Sequence, residues 1–232
     1  MAIVVHHLEQ SRSQRIIWLL EELGESYEVK RYLRDPATSF APPDLKAIHP
    51  LGKLPIVQDG STTLAESGAI FDYFLARSGQ HLTKPGEAEA VLRYSYFMHY
   101  ADGSIMPQVA TLVVLGRMGD AVQNGIATVR EGLAAHLAWA DSELRSRSWF
   151  AGDTFTAADI MMSFPIEAAR LRGGLDWKFE HLDAWLGRVR DRPAYQRALA
   201  RAEPSALPTS GIAERPQRSV AASISRPAPA SP

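Results

Sequence analysis

The spacing of apolar residues changes once along the chain, near residue 80, and this change constrains the fold more than any other feature. Residues 3–5 form a short β-branched run typical of a buried strand. In residues 14–23 the apolar side chains recur at helical spacing, and Gly24 is a suitable C-terminal stop. Residues 27–33 then alternate apolar and polar positions, as a half-buried strand does. The chain is therefore predicted to open with a β-α-β unit.

A second group of elements completes the part of the chain before residue 80. A short helix over 44–48 is followed by strands at 54–58 and 62–64, which are joined by Asp59-Gly60, a strong hairpin signal. A helix over 69–77 closes the unit. The predicted order is β-α-β-α-β-β-α, and we expect this α/β domain to occupy residues 1–80.

Beyond residue 80 the pattern is helical throughout. Turn residues without periodicity at 81–86 predict a linker. The region 87–202 is predicted to be an all-α helical-bundle domain, with amphipathic segments at 87–100, 104–116, 126–145, 157–172, 182–191 and 195–202. From 203 to 232 Pro, Ala, Ser and Arg dominate, which predicts a disordered tail.

Composition removes several classes of function. The 25 basic and 26 acidic residues give a formal net charge of −1, so no overall field favours nucleic acid or an anionic membrane. The chain has no secretory-signal pattern and no run of about 18 apolar residues, so we expect a cytoplasmic protein. The absence of cysteine excludes disulfides, thiolate metal sites and a cysteine nucleophile. Any thiol in the chemistry must come from a ligand, and we expect no metal.

The first candidate motif, residues 11–15, lies between the first strand and the first helix. Backbone N–H groups and the helix dipole favour an anion there, and a serine hydroxyl can donate a hydrogen bond to a bound thiolate. The alternative is that Ser11 or Ser13 only caps the helix.

The second motif is the segment 49–55, in which Pro55 opens a strand. A cis Leu54-Pro55 peptide bond would expose the backbone of Leu54 to pair with a peptide-like ligand. The alternative is an ordinary trans proline on an edge strand.

The third motif is Glu66-Ser67, at the start of the helix after the hairpin. The first-turn N–H groups with the Ser67 hydroxyl suit a carboxylate, and Glu66 suits the ammonium of the same ligand. An ordinary capped helix start is the alternative.

These three motifs, in this order, resemble the glutathione transferase family, and the resemblance extends from about residue 3 to residue 202. The segment 152–160 adds a likeness to the family's capping box, with Thr156 and Asp159 as partners. The chain is similar to serine-type cytosolic members of bacterial and fungal kind. The resemblance implies a thioredoxin-like first domain, glutathione as co-substrate and a homodimer.

The resemblance also assigns residues. Ser11 would bind the glutathione sulfur, with Ser13 as its rival two positions away. The other glutathione contacts that it implies are Arg34, His49, Lys53, Leu54, Glu66 and Ser67. Aromatic and methionine side chains suit flat apolar electrophiles, which places Tyr96, His99, Tyr100 and Met106 in the pocket for the second substrate, with core or dimer contacts as the alternative.

The implied activity is conjugation of the glutathione thiolate to small hydrophobic electrophiles, a detoxification reaction. Two alternatives stay open from the sequence. A glutathione-dependent peroxidase needs the same thiolate and no extra residue, and a non-catalytic binding protein can keep the fold without the chemistry.

Overall fold

The structure, a computed structural model, describes residues 2–35, 40–83 and 86–203. Its first part is a four-stranded mixed sheet with two helices. The elements are β1 (Ile3–Leu8), α1 (Ser13–Leu23), β2 (Tyr27–Tyr32), a 3₁₀ helix (Pro43–Ala47), β3 (Ile56–Asp59), β4 (Thr62–Ala65) and α2 (Ser67–Ser78).

The strands lie in the order β2-β1-β3-β4. β1 and β2 are parallel, with Val5 opposite Val29, and β3 is antiparallel to both β1 and β4. The predicted Asp59-Gly60 turn is present, and Gly60 has φ 62°, a value that suits glycine. The predicted β-α-β-α-β-β-α order is confirmed, with the second helical element formed as a 3₁₀ helix.

The regular elements of the second part are all helices among its described residues. A 3₁₀ turn (Gln80–Leu82) precedes α3 (Ala88–Tyr100), a π-helical turn (Ala101–Ile105), α4 (Met106–Leu115), a second 3₁₀ turn (Asp120–Val122), α5 (Gln123–Glu143), α6 (Ala157–Arg172), α7 (Glu180–Arg190) and α8 (Pro193–Ala202). The predicted break at residues 101–103 is instead a π-helical turn, so the backbone stays helical from α3 into α4.

The capping box at the start of α6 is present as predicted. Asp159 is fully buried and accepts hydrogen bonds from Thr156 N–H at 3.0 Å, Phe150 N–H at 3.0 Å and the Trp185 indole at 3.0 Å. Burial raises the pKa of Asp159 to about 6, although the hydrogen bonds from these donors act to lower that pKa. The carboxylate thus ties three separate segments of the helical bundle together.

The two parts share one apolar core. Trp18 of α1 meets Tyr195 of α8 edge to face, with ring centroids 4.9 Å apart, and Phe155 at 5.7 Å. The predicted linker at 81–86 and the predicted tail at 203–232 stay predictions, because residues 84–85 and 204–232 lie outside the described ranges. Among the helices of the described ranges, none is long and apolar enough to cross a membrane.

Candidate functional site

The N-terminus of α1 holds both candidate serines and gives them different surroundings. Ser11 is half-buried and lines a large cleft, whereas Ser13 is fully buried. Their hydroxyl oxygens are hydrogen-bonded at 2.6 Å. Ser13 Oγ also lies 2.8 Å from Nδ1 of the buried His7 and accepts a hydrogen bond from Leu8 N–H at 3.3 Å. Ser11 therefore borders the space that a ligand can occupy, and Ser13 is enclosed by protein.

The alternative capping role of Ser11 is also visible. Ser13 N–H donates to Ser11 Oγ at 3.3 Å, which satisfies one N–H of the first turn. That bond uses a lone pair, so the Ser11 hydroxyl keeps a proton that it can donate. Gln10, the residue before Ser11, has φ 50°, in the left-handed region. Capping and thiolate binding by Ser11 are therefore compatible.

The predicted cis bond between Leu54 and Pro55 is present. Leu54 lines the large cleft and also a small adjoining recess, which His49, Lys53, Pro55 and Glu66 border as well. His49 Nδ1 is buried and has no hydrogen-bond partner among the described residues. The structure thus brings four of the predicted glutathione contacts, His49, Lys53, Leu54 and Glu66, to one recess.

The start of α2 combines an unusual backbone with a polarised hydroxyl. Glu66 has φ 70° and ψ 124°, which is rare for a residue with a side chain and is often found at functional sites. Ser67 is 2% exposed, and its Oγ accepts a hydrogen bond from the Arg15 guanidinium at 2.9 Å. Because Ser67 accepts from Arg15, its own proton is available for an acceptor such as a carboxylate.

Arg15 was not among the predicted site residues, yet it joins the two halves of the site. Its guanidinium is buried, donates to the Met161 carbonyl at 2.8 Å and pairs with Asp102 at 2.9 Å. Burial lowers the pKa of Arg15, and Asp102 raises it. Asp102 reaches Arg15 from the π-helical turn, a feature often found at functional sites. The position of Ser67 is therefore set by contacts from both parts of the chain.

The cleft has a volume of about 480 Å³, within the usual range for a small-molecule site. Ser11, Lys53 and Leu54 line one side, and Met106 with Phe164 line the side contributed by the helical bundle. The cleft therefore places apolar surface beside the Ser11 hydroxyl.

Of the four residues predicted for the second-substrate pocket, the structure places only Met106 in this cleft. Tyr96 borders a separate shallow groove with Leu92 and Trp139. Tyr100 is buried and hydrogen-bonded to His136 Nδ1 at 2.6 Å, and His99 is exposed. These three residues share α3 but are not among the residues that line the Ser11 cleft.

Arginines from two distant segments also line the cleft. Arg34, which follows β2, donates to the Gln10 carbonyl at 3.2 Å, and Arg172, at the end of α6, donates to the same carbonyl at 3.3 Å. Phe164 and Arg172 were missed by the sequence analysis, because helical periodicity predicts core positions but not which helix borders a cleft.

The arrangement can hold an anionic, peptide-like ligand and donate a hydrogen bond to a thiolate. Ser11 supplies the donor, the first turns of α1 and α2 supply N–H groups, and the recess supplies Lys53 and His49. Within the described ranges, no group of three or more metal-ligating side chains occurs.

Comparisons with known proteins identify the family. The family model for the glutathione S-transferase N-terminal domain matches residues 2–76, and that for the glutathione S-transferase C-terminal domain matches residues 120–188. Glutathione S-transferase 3 of Schizosaccharomyces pombe is 36% identical over 229 residues, which cover 92% of this chain and 93% of that protein.

Two solved structures extend the likeness to the fold. A glutathione S-transferase from Actinobacillus pleuropneumoniae is 32% identical, with a TM-score of 0.78 over 87% of this chain and 93% of that one. A theta class glutathione S-transferase from Xanthomonas axonopodis pv. citri, solved with glutathione bound, is 26% identical, with a TM-score of 0.70 over 85% of this chain and 96% of that one. The sequence motifs, the two matched domains and a relative similar over nearly its whole length establish that this chain belongs to the glutathione S-transferase family of enzymes.

Proposed function

We propose that the protein binds glutathione, ionises its thiol at Ser11 and transfers the thiolate to a small electrophile with an apolar body. The observation that carries this proposal is the shared cleft: the Ser11 hydroxyl, Leu54 and Lys53 border the same space as Met106 and Phe164. Both substrates can thereby meet at one hydroxyl group. Holding two reactants together replaces a bimolecular encounter with an effectively unimolecular step.

Ionisation of the thiol rests on Ser11 and the N-terminus of α1. A free thiol has a pKa of about 8.5, and each unit of lowering corresponds to about 1.4 kcal/mol. A hydrogen bond to a charged acceptor contributes about 1.5–3 kcal/mol, which is enough for one or two units. The thiolate then attacks the electrophilic atom as the nucleophile.

Glutathione would lie across the recess with its two ends held separately. Its glycyl carboxylate fits Lys53 and His49, whose buried Nδ1 has no partner among the described residues. Its γ-glutamyl carboxylate fits the Ser67 hydroxyl and the first turn of α2, with Glu66 beside the ammonium group. The backbone of Leu54 would pair with the central part of the peptide.

The test is a pH titration of the ultraviolet absorbance of bound glutathione thiolate, followed by turnover with 1-chloro-2,4-dinitrobenzene. We expect a bound thiol pKa one to two units below the free value, by the hydrogen-bond energy given above, and measurable turnover. Ser11→Ala should raise that pKa and lower kcat, whereas Ser146→Ala, at an exposed position outside the cleft, should change neither.

Three other outcomes are informative. Turnover of a hydroperoxide without turnover of the aryl halide would point to the peroxidase alternative. Glutathione binding with an unchanged thiol pKa and no turnover would favour a non-catalytic binding protein. No binding of glutathione would refute the proposal.

A cytosolic homodimer completes the proposal. Leu92 and Tyr96 of α3 are 69% and 48% exposed, which is large for apolar and aromatic side chains. This exposure supports a face of α3 that a second copy of the chain covers. Sedimentation analysis should give about twice the chain mass of 25.5 kDa, and Leu92→Glu should shift it toward the monomer. Cell fractionation tests the location.

A further inference from the structure

The cleft is lined by positive charge, although the chain as a whole is nearly neutral. Its described lining includes five cationic side chains and no acidic one: Arg12, Arg34, Lys46, Lys53 and Arg172. The formal net charge of the chain is only −1, so this excess is local. A concave site lined by one sign of charge concentrates ions of the opposite sign.

Two of these cations converge beside the reactive hydroxyl. The Arg34 and Arg172 guanidinium groups both donate to the carbonyl of Gln10, at 3.2 and 3.3 Å, and Gln10 directly precedes Ser11. Arg34 also donates to the Glu9 carbonyl at 3.1 Å, and the Glu9 carboxylate offsets part of its charge. Arg172 additionally donates to the Gln10 side-chain oxygen at 3.3 Å.

Arg34 and Arg172 bring like charges together. Loss of hydration lowers the pKa of Arg172, and the positive charge of Arg34 lowers it further, with no acidic group among the described residues acting in the opposite direction. The Arg34 pKa is lowered by loss of hydration and by Arg117, and raised by Glu9. An anion between the two guanidinium groups would relieve this repulsion.

Arg34 and Arg172 are not among the residues that border the recess proposed for glutathione. The recess is bordered by His49, Lys53 and Glu66, and neither arginine lines it. Both arginines do line the large cleft, together with Met106 and Phe164. A ligand in this part of the cleft therefore meets apolar side chains and two guanidinium groups near the same serine.

We propose that the electrophile is an anion: an aromatic or other apolar body that packs against Met106 and Phe164, with a carboxylate that Arg34 and Arg172 bind. The inference rests on the proposed function and narrows its substrate class. It also reassigns Arg34, which the sequence predicts as a glutathione contact, to binding of the electrophile. Guanidinium groups bind carboxylates through paired hydrogen bonds, which fixes orientation as well as affinity.

The test compares 4-chloro-3,5-dinitrobenzoate with its methyl ester at saturating glutathione. In both, the thiolate attacks the ring carbon that bears chlorine, the C–S bond forms, and chloride leaves with the electron pair of the C–Cl bond. Each kcat/KM is divided by the uncatalysed rate constant with glutathione, which removes the difference in intrinsic reactivity. We expect this normalised value to favour the carboxylate by about tenfold or more, since a charged hydrogen bond is strong enough for that ratio.

Variants test which residues cause the preference for the carboxylate over the ester. Arg172→Gln and Arg34→Gln should each reduce the carboxylate-to-ester ratio severalfold, whereas Arg145→Gln, at an exposed position outside the cleft lining, should keep the wild-type ratio. Equal normalised values for the two compounds in the wild-type protein would overturn the proposal. So would a preference that both cleft variants leave unchanged.

A binding measurement separates this proposal from the proposed function. Calorimetry can use 3,5-dinitrobenzoate and its methyl ester, neither of which carries a leaving chloride. The wild-type protein should bind the carboxylate more tightly than the ester, and Arg172→Gln should abolish this difference in affinity. If the protein binds the carboxylate selectively but shows no turnover, the anion site stands and the proposed reaction is wrong. If turnover occurs without selective binding or rate preference, the reaction stands and the anion site is wrong.

Discussion

Replacing the buried Ser13 by alanine is expected to weaken thiol ionisation, although Ser13 does not line the cleft. The reason lies in the chain of contacts from His7 Nδ1 to Ser13 Oγ at 2.8 Å and from there to Ser11 Oγ at 2.6 Å. Burial lowers the pKa of His7 to about 4, with Arg31 as a second cause, so the imidazole is neutral at pH 7 and carries one proton.

When a thiolate is bound, a count of the protons shows which atom donates in each hydrogen bond between His7, Ser13 and Ser11. If Ser11 donates its only hydroxyl proton to sulfur, the bond between the two serines must use the proton of Ser13. Ser13 Oγ then has only lone pairs left, and it accepts from Leu8 N–H and from His7. His7 must therefore carry its proton on Nδ1. Ser13 and His7 act through Ser11 and are positioning residues.

The size of the effect follows from hydroxyl rotation. Without Ser13 Oγ, the Ser11 hydroxyl proton is free to populate three staggered orientations of which one points to sulfur, a cost of about 0.6 kcal/mol, or roughly half a pKa unit. The Ser13 hydroxyl also polarises the Ser11 hydroxyl. Its loss should weaken the hydrogen bond from Ser11 to sulfur by about 10–30%, which adds to this cost. We expect Ser13→Ala to raise the bound thiol pKa by about half to one unit, and Ser11→Ala by about one to two units.

The assay is the same ultraviolet titration, applied to both single variants and the double variant. Because Ser13 acts through Ser11, the double variant should match Ser11→Ala rather than show the sum of the two shifts. Long-range proton–nitrogen NMR of the His7 ring in the glutathione complex should show the Nδ1–H tautomer. Additive shifts, or a larger effect from Ser13→Ala than from Ser11→Ala, would refute the reasoning and make Ser13 the direct partner of the sulfur.

Other contacts of the structure predict measurable changes in stability. Asp159→Ala leaves several buried donors without an acceptor and should lower the free energy of unfolding by about 3–5 kcal/mol in urea titrations. Because the folded-state pKa of Asp159 is raised from 3.8 to about 6, its contribution to stability should fall as pH rises through that window, and Asp159→Asn should remove this dependence in denaturation at several pH values. Asp102→Asn leaves the buried Arg15 cation without its carboxylate and should cost about 3 kcal/mol by urea denaturation. Glu66→Gly should relieve backbone strain and raise stability by about 1 kcal/mol, while calorimetry shows weaker glutathione binding.

The parts of the fold that the sequence predicts well are those with short-range signals. The Asp59-Gly60 turn and the Thr156 capping box each depend on residues within a few positions of one another, and both are present. The end of β1 depends on distant partners, and there the prediction stopped three residues early. His6 and His7 are polar, but the strand continues through them because they pair with Lys30 and Arg31 of β2, and both imidazoles have buried hydrogen-bond partners.

The same distinction separates the residues predicted to contact glutathione from the arginine pair of the cleft. Leu54, Glu66 and Ser67 belong to local motifs whose residue types already indicate a ligand, so the sequence predicts them as contacts. Arg172 carries no such signal, because an arginine in the last turn of a helix is sufficiently explained by the helix dipole and by solvent. Its role arises only when the fold brings it, across 162 positions, to the Gln10 carbonyl that Arg34 also contacts. Bringing two guanidinium groups together opposes folding, and an anion bound between them would offset that cost. The proposed preference for an anionic substrate would therefore depend on tertiary structure, whereas the proposed glutathione contacts depend largely on local sequence motifs.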